Sequence, residues 1–424
     1  MNEKQLPLSA LDQWPAGPDR EAVRKELAGE LAGLNRKIVV LDDDPTGVQT
    51  VHDIYVYTDW TAETLRNAFR APESMFFILT NSRGFSRQKT VEVHTEIARN
   101  IAAASRETGT DYILISRSDS TLRGHYPTET QTLRVVLEKE SAVRFDGEIL
   151  IPFFPEGGRY TMNDVHYVAG KDGLTPAGQT EFAKDRTFGY SSSNLKEYVE
   201  EKHSGAVKAQ DTVSIGLDVL RAGDTGTAEK LLKGVSGFGK VIVNAVGYVD
   251  LEVFAIAFVR AVRAGKRFMF RSAAAITKVL GGVSDKPLLT REELRDAGNR
   301  NGGLIVAGSH VNKTTLQLEQ LRELKNIRFI EFDVTTALQE EAFRAERSRV
   351  MAEEMAALKA GETVTVYTSR KRLDAQTGNP EDDLKLSLKI SEAVTSFVEE
   401  LEIRPIFCVL LKLLFNRITL KQCF

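Results

Sequence analysis

Short runs of apolar residues recur along the chain and alternate with longer segments whose apolar residues return every three or four positions. The first runs are "KIVVL", "MFFIL", "YILIS", "EILIPFF", "TVSIGL", "KVIVNAV" and "RFMF". Each is long enough for a strand, whereas the intervening "RQKTVEVHTEIARNIAAASRETG" has helical spacing. Continuous apolar strands that alternate with amphipathic helices predict mostly parallel sheets covered on both faces. The expected fold class is α/β.

A second set of runs, "GGLIVAG", "IRFIEF" and "TVTVY", follows a segment rich in glycine, proline and charge, "VLGGVSDKPLLTREELRDAGNRNGG". Pro18 and "DREAVRKELAGELAGLNRK" predict an amphipathic helix ahead of the first run. A chain of 424 residues is long for one core, so we predict two domains, each with a mostly parallel sheet flanked by helices. The predicted ranges are a helical extension over 1–36, a first domain over 37–280, a linker over 281–300 and a second domain over 301–424.

The composition of the chain indicates which kinds of molecule the protein is expected to bind and in which compartment. The formal net charge is -3, so nothing global favours nucleic acid or an anionic membrane. The two cysteines, Cys408 and Cys423, rule out a disulfide framework and fit a reducing compartment. No apolar signal segment opens the chain, and no uninterrupted apolar run reaches the length of a membrane span. We therefore expect a cytoplasmic, soluble protein whose partners include neither nucleic acid nor membrane.

Polar clusters follow three of the runs, where a parallel sheet binds its ligands. They are, in chain order, Asp42, Asp43, Asp44 and Thr46; Asn81, Ser82 and Arg83; and Arg117, Ser118, Asp119, Arg123 and His125. A single cluster is equally typical of a solvated loop, but three on successive strands predict one shared crevice. Its carboxylates would hold hydroxyl groups or Mg²⁺, and its arginines would hold a carboxylate or a phosphate.

The second domain has a phosphate-binding candidate in "LIVAGSHVNKTTLQLEQL". A strand ends at Gly308 and Ser309, and a helix then opens with Lys313 and Thr314. Backbone N–H groups at such a helix start favour a phosphate. The segment is not a Walker A loop, because Lys313 lies one residue too close to Gly308 and Asn312 replaces the second glycine. An ordinary capped turn between a strand and a helix has the same pattern.

The spacing Asp42-x-Asp44-x-Thr46 also matches the DxDxT nucleophile signature of haloacid-dehalogenase-type phosphatases. Those enzymes need a lysine and a later acidic pair at a strand end to hold Mg²⁺. The run "VIVNAVG" ends without a carboxylate. A phosphatase is therefore kept as the less favoured alternative.

Two further loops, "FFPEGGRYTMNDVHYV" and "DRTFGYSSSNL", carry Glu156, Arg159, Asp185 and Arg186. Both are similar to loops that contact substrate, and both can equally be structural.

Taken together, these motifs resemble the four-carbon acid sugar kinases. The resemblance rests on "LDDDPTGVQT", "LTNSRG", "SRSDSTLRGHYPTE", "IPFFPEGGRYT", "DRTFGYSSSNL", "FRSAAA" and "VAGSHVNKTTLQL", and extends from Lys37 to Pro405. It implies an N-terminal domain that binds the acid sugar and a C-terminal domain that binds ATP. A hydroxyl of erythronate, threonate or a keto-tetronate would receive the γ-phosphoryl group, with Mg²⁺ bridging the phosphates.

The resemblance implies a role in catalysis or binding for the polar residues named above. Asp43 and Asp44 would hold substrate hydroxyls and take the proton of the attacking one, with Asp42 in a supporting position. The arginines would bind the substrate carboxylate or stabilise transition-state charge. Ser309, together with Gly308, Lys313 and Thr314, would contact the nucleotide. No residue is assigned to hold a metal by itself.

The end of the chain departs from the family pattern. Family members continue with a Lys-Gly-Gly-x-Thr-Ser-type loop, whereas this sequence reads "IRPIFCVLLKLLFNRITLKQCF" and has no glycine after Gly378. We interpret this as a truncated or frameshifted terminus with an incomplete ATP site and an apolar surface that favours a homodimer. A substrate-binding remnant without phosphotransfer therefore remains an alternative.

Overall fold

The computed structural model describes residues 3–411 apart from 288, 289, 291, 294, 296, 297, 311, 372, 376, 378 and 379. The side chains of residues 312, 313, 380, 381, 384, 410 and 411 also lie outside the described part. The chain divides into two compact units, Met1–Lys286 and Pro287–Phe424. The finer boundaries expected from the sequence, including the linker over 281–300, stay predictions.

The described part of the first unit contains a large parallel sheet and a small antiparallel one. Its strands are β1 (Arg36–Asp42), β2 (Tyr55–Tyr57), β3 (Met75–Leu79), β4 (Asp111–Arg117), β5 (Gly147–Ile151), β6 (Arg159–Met162), β7 (Val165–Gly170), β8 (Gly173–Pro176), β9 (Val213–Ile215), β10 (Gly239–Val243) and β11 (Phe268–Ser272). The large sheet has the order β2-β3-β1-β4-β11-β5-β10-β9, and β6, β7 and β8 form the small one. The chain leaves β1 toward β3 on one side and returns as β4 on the other, which opens a crevice at their carboxyl ends.

Helices cover both faces of the large sheet. They are α1 (Arg20–Ala32), α2 (Ala62–Arg70), α3 (Arg87–Thr108), α4 (Thr128–Glu140), α5 (Leu195–Lys202), α6 (Leu217–Arg221), α7 (Thr225–Gly234), α8 (Tyr248–Arg263) and α9 (Ala275–Leu280). Side chains of β1 alternate between two cores: Ile38 and Val40 pack with residues of α1 and α8, and Val39 and Leu41 with residues of α2 and α3. Because each such side chain contributes about 1.5–3 kcal/mol when buried, the alternation fixes the strand in place.

The second unit repeats the same design on a smaller scale. Its described elements are β12 (Leu304–Ala307), α10 (Asn312–Arg322), β13 (Ile327–Phe332), α11 (Glu340–Lys359), β14 (Thr363–Thr368), α12 (Pro380–Glu399) and β15 (Cys408–Leu411). The strands are parallel in the order β13-β14-β12-β15. Residues 412–424, on which the expectation about the terminus rests, lie outside the described residues.

The predicted α/β class with two mostly parallel sheets is confirmed, and each apolar run of the sequence forms a strand. Two features were not predicted: the short edge strand β2 and the antiparallel sheet that includes part of "GGRYTMNDVHYV". In the part of the chain that the structure describes, no helix combines the length and the apolar character needed to cross a bilayer.

Candidate functional site

Asp42 is the last residue of β1 and is buried. It is the register partner of Arg117 on β4, so the two side chains meet across neighbouring strands with a 2.9 Å ion pair. Burial raises the pKa of Asp42 to about 7, against the attraction of Arg117. A Cβ on Gly47 would lie 1.5 Å from Oδ2 of Asp42, so glycine is required for the turn to close over this carboxylate. Asp42 is therefore a covered structural group.

Arg83 holds the next carboxylates together. Its guanidinium donates to Asp43 Oδ1 at 2.6 Å and to Asp44 Oδ2 at 3.0 Å, and lies 3.8 Å from Asp119. Asp43 also accepts a hydrogen bond from Ser118 Oγ at 2.5 Å. Burial acts to raise the pKa of Asp44, but Arg83 outweighs it and leaves that pKa below its ordinary value. The cost of clustering carboxylates is offset by one shared cation.

Side chains of β7 and α5 position the loop after β4. His166 binds the carbonyl of Ser120 at 2.8 Å, and the Tyr198 hydroxyl donates to the carbonyl of Leu122 at 2.9 Å. Leu122 has φ 67, a conformation that few non-glycine residues adopt. Because strained backbone persists only where the surroundings hold it, this loop is a fixed part of the site.

Arg271 and Glu129 belong to the site but were not among the predicted residues. Arg271, near the end of β11, donates to Glu129 Oε2 at 2.7 Å and to the carbonyl of Arg123 at 3.1 Å. Glu129 also accepts from Ser82 Oγ at 3.0 Å. Burial would raise the pKa of Glu129, but Arg271 outweighs it and the net pKa is lowered. An arginine inside the buried run "FMFRS" was the available signal, because such a charge requires a partner.

The remaining predicted residues differ in their access to a ligand. Asn81 is buried with φ 54, and its Oδ1 has no hydrogen-bond partner in the described part. Ser82 is fully buried, and His125 uses Nε2 on the carbonyl of Phe85 at 2.9 Å, so both support the loops. Thr46 is exposed and donates through N and Oγ1 to Asp44. Asn81 Oδ1 is therefore a buried acceptor that a ligand could use.

The expectation that the strand ends share one crevice is confirmed, since Asp43, Arg83 and Ser118 are in direct contact. The chemical roles assigned to these residues stay predictions. The phosphatase alternative requires an accessible nucleophile at Asp42. Asp42 is 1% exposed and lies beneath Gly47, so the structure argues against that chemistry.

In the second unit, the ends of β12 and β14 meet beside the start of α10. Thr368 Oγ1 donates to the carbonyl of Gly308 at 3.2 Å, and Ser309 and Thr314 are buried. Arg370, which follows β14, donates through Nη2 to Thr315 Oγ1 at 3.0 Å. Sequence reasoning missed Arg370, although "YTSRK" at a strand end is the same kind of signal as "TNSRG".

This arrangement suits a phosphate. The backbone N–H groups of a helix start and a nearby guanidinium are the donors that phosphate oxygens accept. The side chain of Lys313, also expected to contact the nucleotide, lies outside the described residues.

The described residues contain no group of three or more His, Cys, Asp or Glu that could hold a metal ion. Mg²⁺ in phosphoryl-transfer enzymes is held largely by the phosphates and water, with one or two protein carboxylates. The donor set is therefore compatible with Mg²⁺ that arrives with a nucleotide.

Comparison with known proteins identifies two matching families. A sugar-binding N-terminal domain matches residues 38–280, and a nucleotide-binding C-terminal domain matches residues 304–409. No curated protein sequence matches the chain.

Solved structures are similar at low identity. A Salmonella typhimurium LT2 protein described as a candidate tRNA synthase has a TM-score of 0.56 at 14% identity, over 88% of this chain and 85% of that chain. A domain of unknown function from Bordetella bronchiseptica, crystallised as a domain-swapped dimer with citrate, has a TM-score of 0.42 at 18% identity, over 88% and 83%. The Salmonella structure shares the α/β fold, and at this identity the likeness extends to the fold alone.

Proposed function

The chain belongs to the four-carbon acid sugar kinase family, and we propose that it transfers the γ-phosphoryl group of ATP to a hydroxyl of a four-carbon acid sugar. Erythronate, threonate and keto-tetronates are the candidate substrates. The proposal is supported by the sugar-binding and nucleotide-binding domains on one chain. The single observation that carries it is the state of Asp44, a partly exposed carboxylate fixed beside two buried ones.

Asp44 is the group that we assign to the reacting hydroxyl. Both oxygens of Asp43 are occupied by Arg83 and Ser118, and Asp42 is covered by Gly47. Asp44 accepts from Thr46 on Oδ1 and from Arg83 on Oδ2, yet its side chain is 22% exposed. It therefore keeps lone pairs that a substrate hydroxyl can use, while Asp43 positions Arg83.

A carboxylate with a lowered pKa is suited to this step. In phosphoryl transfer the nucleophile's proton is lost late, so the base chiefly orients the hydroxyl and then accepts the proton. Arg83 keeps Asp44 ionised at neutral pH.

Asn81 and Arg123 complete the sugar site in this proposal. The unpartnered Oδ1 of Asn81 can accept a hydrogen bond from a second hydroxyl. Arg123 is anchored by a 2.6 Å bond from Nε to Asp119, which leaves its terminal nitrogens for an anion.

In the second unit, Ser309, Thr314 and Arg370 are the residues we assign to the nucleotide phosphates. Bound ATP would supply the γ-phosphoryl group and its Mg²⁺ the neutralising charge. Arg370 is held by Thr315, so its guanidinium is oriented before a ligand binds. Burial lowers the pKa of Arg370, which remains a cation at neutral pH.

The test is ATP-dependent phosphorylation of D- and L-erythronate and threonate, followed by coupled detection of ADP. We expect Asp44→Asn to lower kcat by about 10²–10⁴-fold, the usual contribution of a positioned base. Asp59→Asn is the matched control, because Asp59 forms the same turn with the N and Oγ1 of Thr61 before α2. A wild-type chain that phosphorylates none of these acids, or an Asp44→Asn variant with normal kcat, contradicts the proposal.

A further inference from the structure

Arg159, at the start of β6, is a half-buried cation whose side chain has no hydrogen bond and no ion pair in the described part of the chain. Its Nε is buried without a hydrogen-bond acceptor, and no carboxylate of the described residues forms an ion pair with it. Burial lowers its pKa, and Asp119 opposes that effect without touching it. Because an uncompensated buried charge is costly, a group of this kind calls for a ligand.

A second arginine lies against the same aromatic ring. The guanidinium carbon of Arg159 is 5.6 Å from the centre of the Phe182 ring, and that of Arg123 is 5.0 Å from it. Among the described residues, the hydrogen bonds of the Arg123 side chain use Nε alone, and Nη1 lies 3.9 Å from a carboxylate oxygen of Asp185. Two like charges held on one ring repel each other, and an anion between them removes that repulsion.

The paired arginines are connected to the proposed base. Asp119 binds Arg123 and lies 3.8 Å from Arg83, which in turn binds Asp44. Arg83 is neutralised by these aspartates, as Arg117 is by Asp42, so neither is available to a substrate anion. The site is thus divided into an end that accepts hydroxyls and an end that donates to an anion.

We propose that Arg159 and Arg123 together bind the carboxylate of the acid sugar and thereby select acids over neutral polyols of the same length. This inference rests on the proposed function and assigns the opposite end of the same substrate. A guanidinium presents paired N–H donors in a plane, which suits a carboxylate better than an ammonium does. Phe182 holds both planes in place through cation–π contact.

Calorimetric titration without ATP tests the inference, with erythronate and threonate as acid probes and erythritol as the neutral probe. We expect Arg159→Gln to weaken binding of the acids by about 10-fold to 100-fold, the range of a charge-assisted hydrogen bond, and to leave erythritol unchanged. Arg134→Gln is the matched control, because Arg134 also lies over a ring, Phe238, at 4.4 Å and pairs with Glu138. That control should bind the acids as the wild type does.

Stability supplies an independent readout. Because Arg159 has no paired carboxylate among the described residues that its removal would leave uncompensated, the ligand-free Arg159→Gln variant should unfold at or above the wild-type temperature. If that variant unfolds at a lower temperature than the wild type, Arg159→Lys provides the test. Lysine keeps the charge but lacks the planar pair of donors, so this variant should still bind the acids more weakly.

The outcomes separate this inference from the proposed function. Wild-type acid affinity in Arg159→Gln overturns the inference, as does a wild-type chain that binds the acids no better than erythritol. A variant that binds acids normally but phosphorylates them slowly would place Arg159 on the transferred phosphate and also overturn it. If Arg159→Gln loses acid binding but the wild type phosphorylates none of the acids, the inference is supported and the kinase proposal fails.

Discussion

Replacing Gly124 by alanine tests how tightly the sugar site is packed. Gly124 has φ +119, and an added Cβ would lie 2.7 Å from both Arg271 Nη2 and Ser118 Oγ and 3.2 Å from Asp43 Oδ2. These neighbours cannot simply move aside, because Ser118 is bonded to Asp43 at 2.5 Å and Arg271 to Glu129 at 2.7 Å. At least one charge-assisted hydrogen bond must break or lengthen.

The magnitude follows from two contributions. Losing one hydrogen bond to a charged group costs about 1.5–3 kcal/mol. The backbone strain of a non-glycine residue at this φ adds about 1–3 kcal/mol. The expected loss in the free energy of unfolding is about 2.5–6 kcal/mol in all. Turnover should fall about 10²-fold as well, because a displacement near 1 Å at Asp43 or Arg271 misaligns the reacting groups.

Gly109→Ala is the matched control. Gly109 ends α3 with φ +67, and no atom lies within 4 Å of the added Cβ. This variant should lose only about 1–2 kcal/mol in the free energy of unfolding, because of the left-handed backbone strain, and should keep its turnover. Urea unfolding followed by circular dichroism gives the stabilities, and ADP release gives the rates. Equal losses of stability and activity in the two variants would refute the packing argument.

Three further variants probe other parts of the structure. The native pKa of Asp42, about 7, lies above its ordinary 3.8, so its contribution to stability is full below 3.8 and is lost as pH rises through 7. The free energy of unfolding of the wild type should therefore fall by about 3 kcal/mol from about pH 5 to pH 8, and that of Asp42→Asn should not show this fall. If urea unfolding gives the same pH dependence for both proteins, the reasoning is wrong. Glu129→Gln leaves Arg271 buried without its counter-ion and should cost about 3–5 kcal/mol in urea unfolding, and a loss below about 1 kcal/mol would show that the pair is dispensable. Arg370→Gln should raise the KM for ATP by about 10-fold to 100-fold while calorimetric acid-sugar binding stays unchanged, and an unchanged KM would remove Arg370 from the nucleotide site.

Much of the fold was determined by local sequence. A run such as "KIVVL" buries side chains on both faces, which only a strand between two helical layers allows, and each such run forms a strand of a parallel sheet. Strands without that signature were missed: β2 has three residues at a sheet edge, and β6 and β7 carry polar residues among their apolar ones. Their pairing is stabilised by contacts from elsewhere in the unit rather than by their own composition.

The candidate sugar site was likewise predicted only in part from the sequence. The sequence by itself placed carboxylates and arginines at successive strand ends, because parallel strands present their carboxyl ends at one edge. Only the tertiary structure decided which charges neutralise each other. The order β3-β1-β4-β11 makes Asp42 and Arg117 register partners and brings Arg271 to Glu129. Arg159 lies on a separate sheet and forms no ion pair with a carboxylate of the described residues. Ion pairing depends on distances of a few ångströms between residues remote in the chain, and those distances are fixed by strand order and register, which local patterns do not encode.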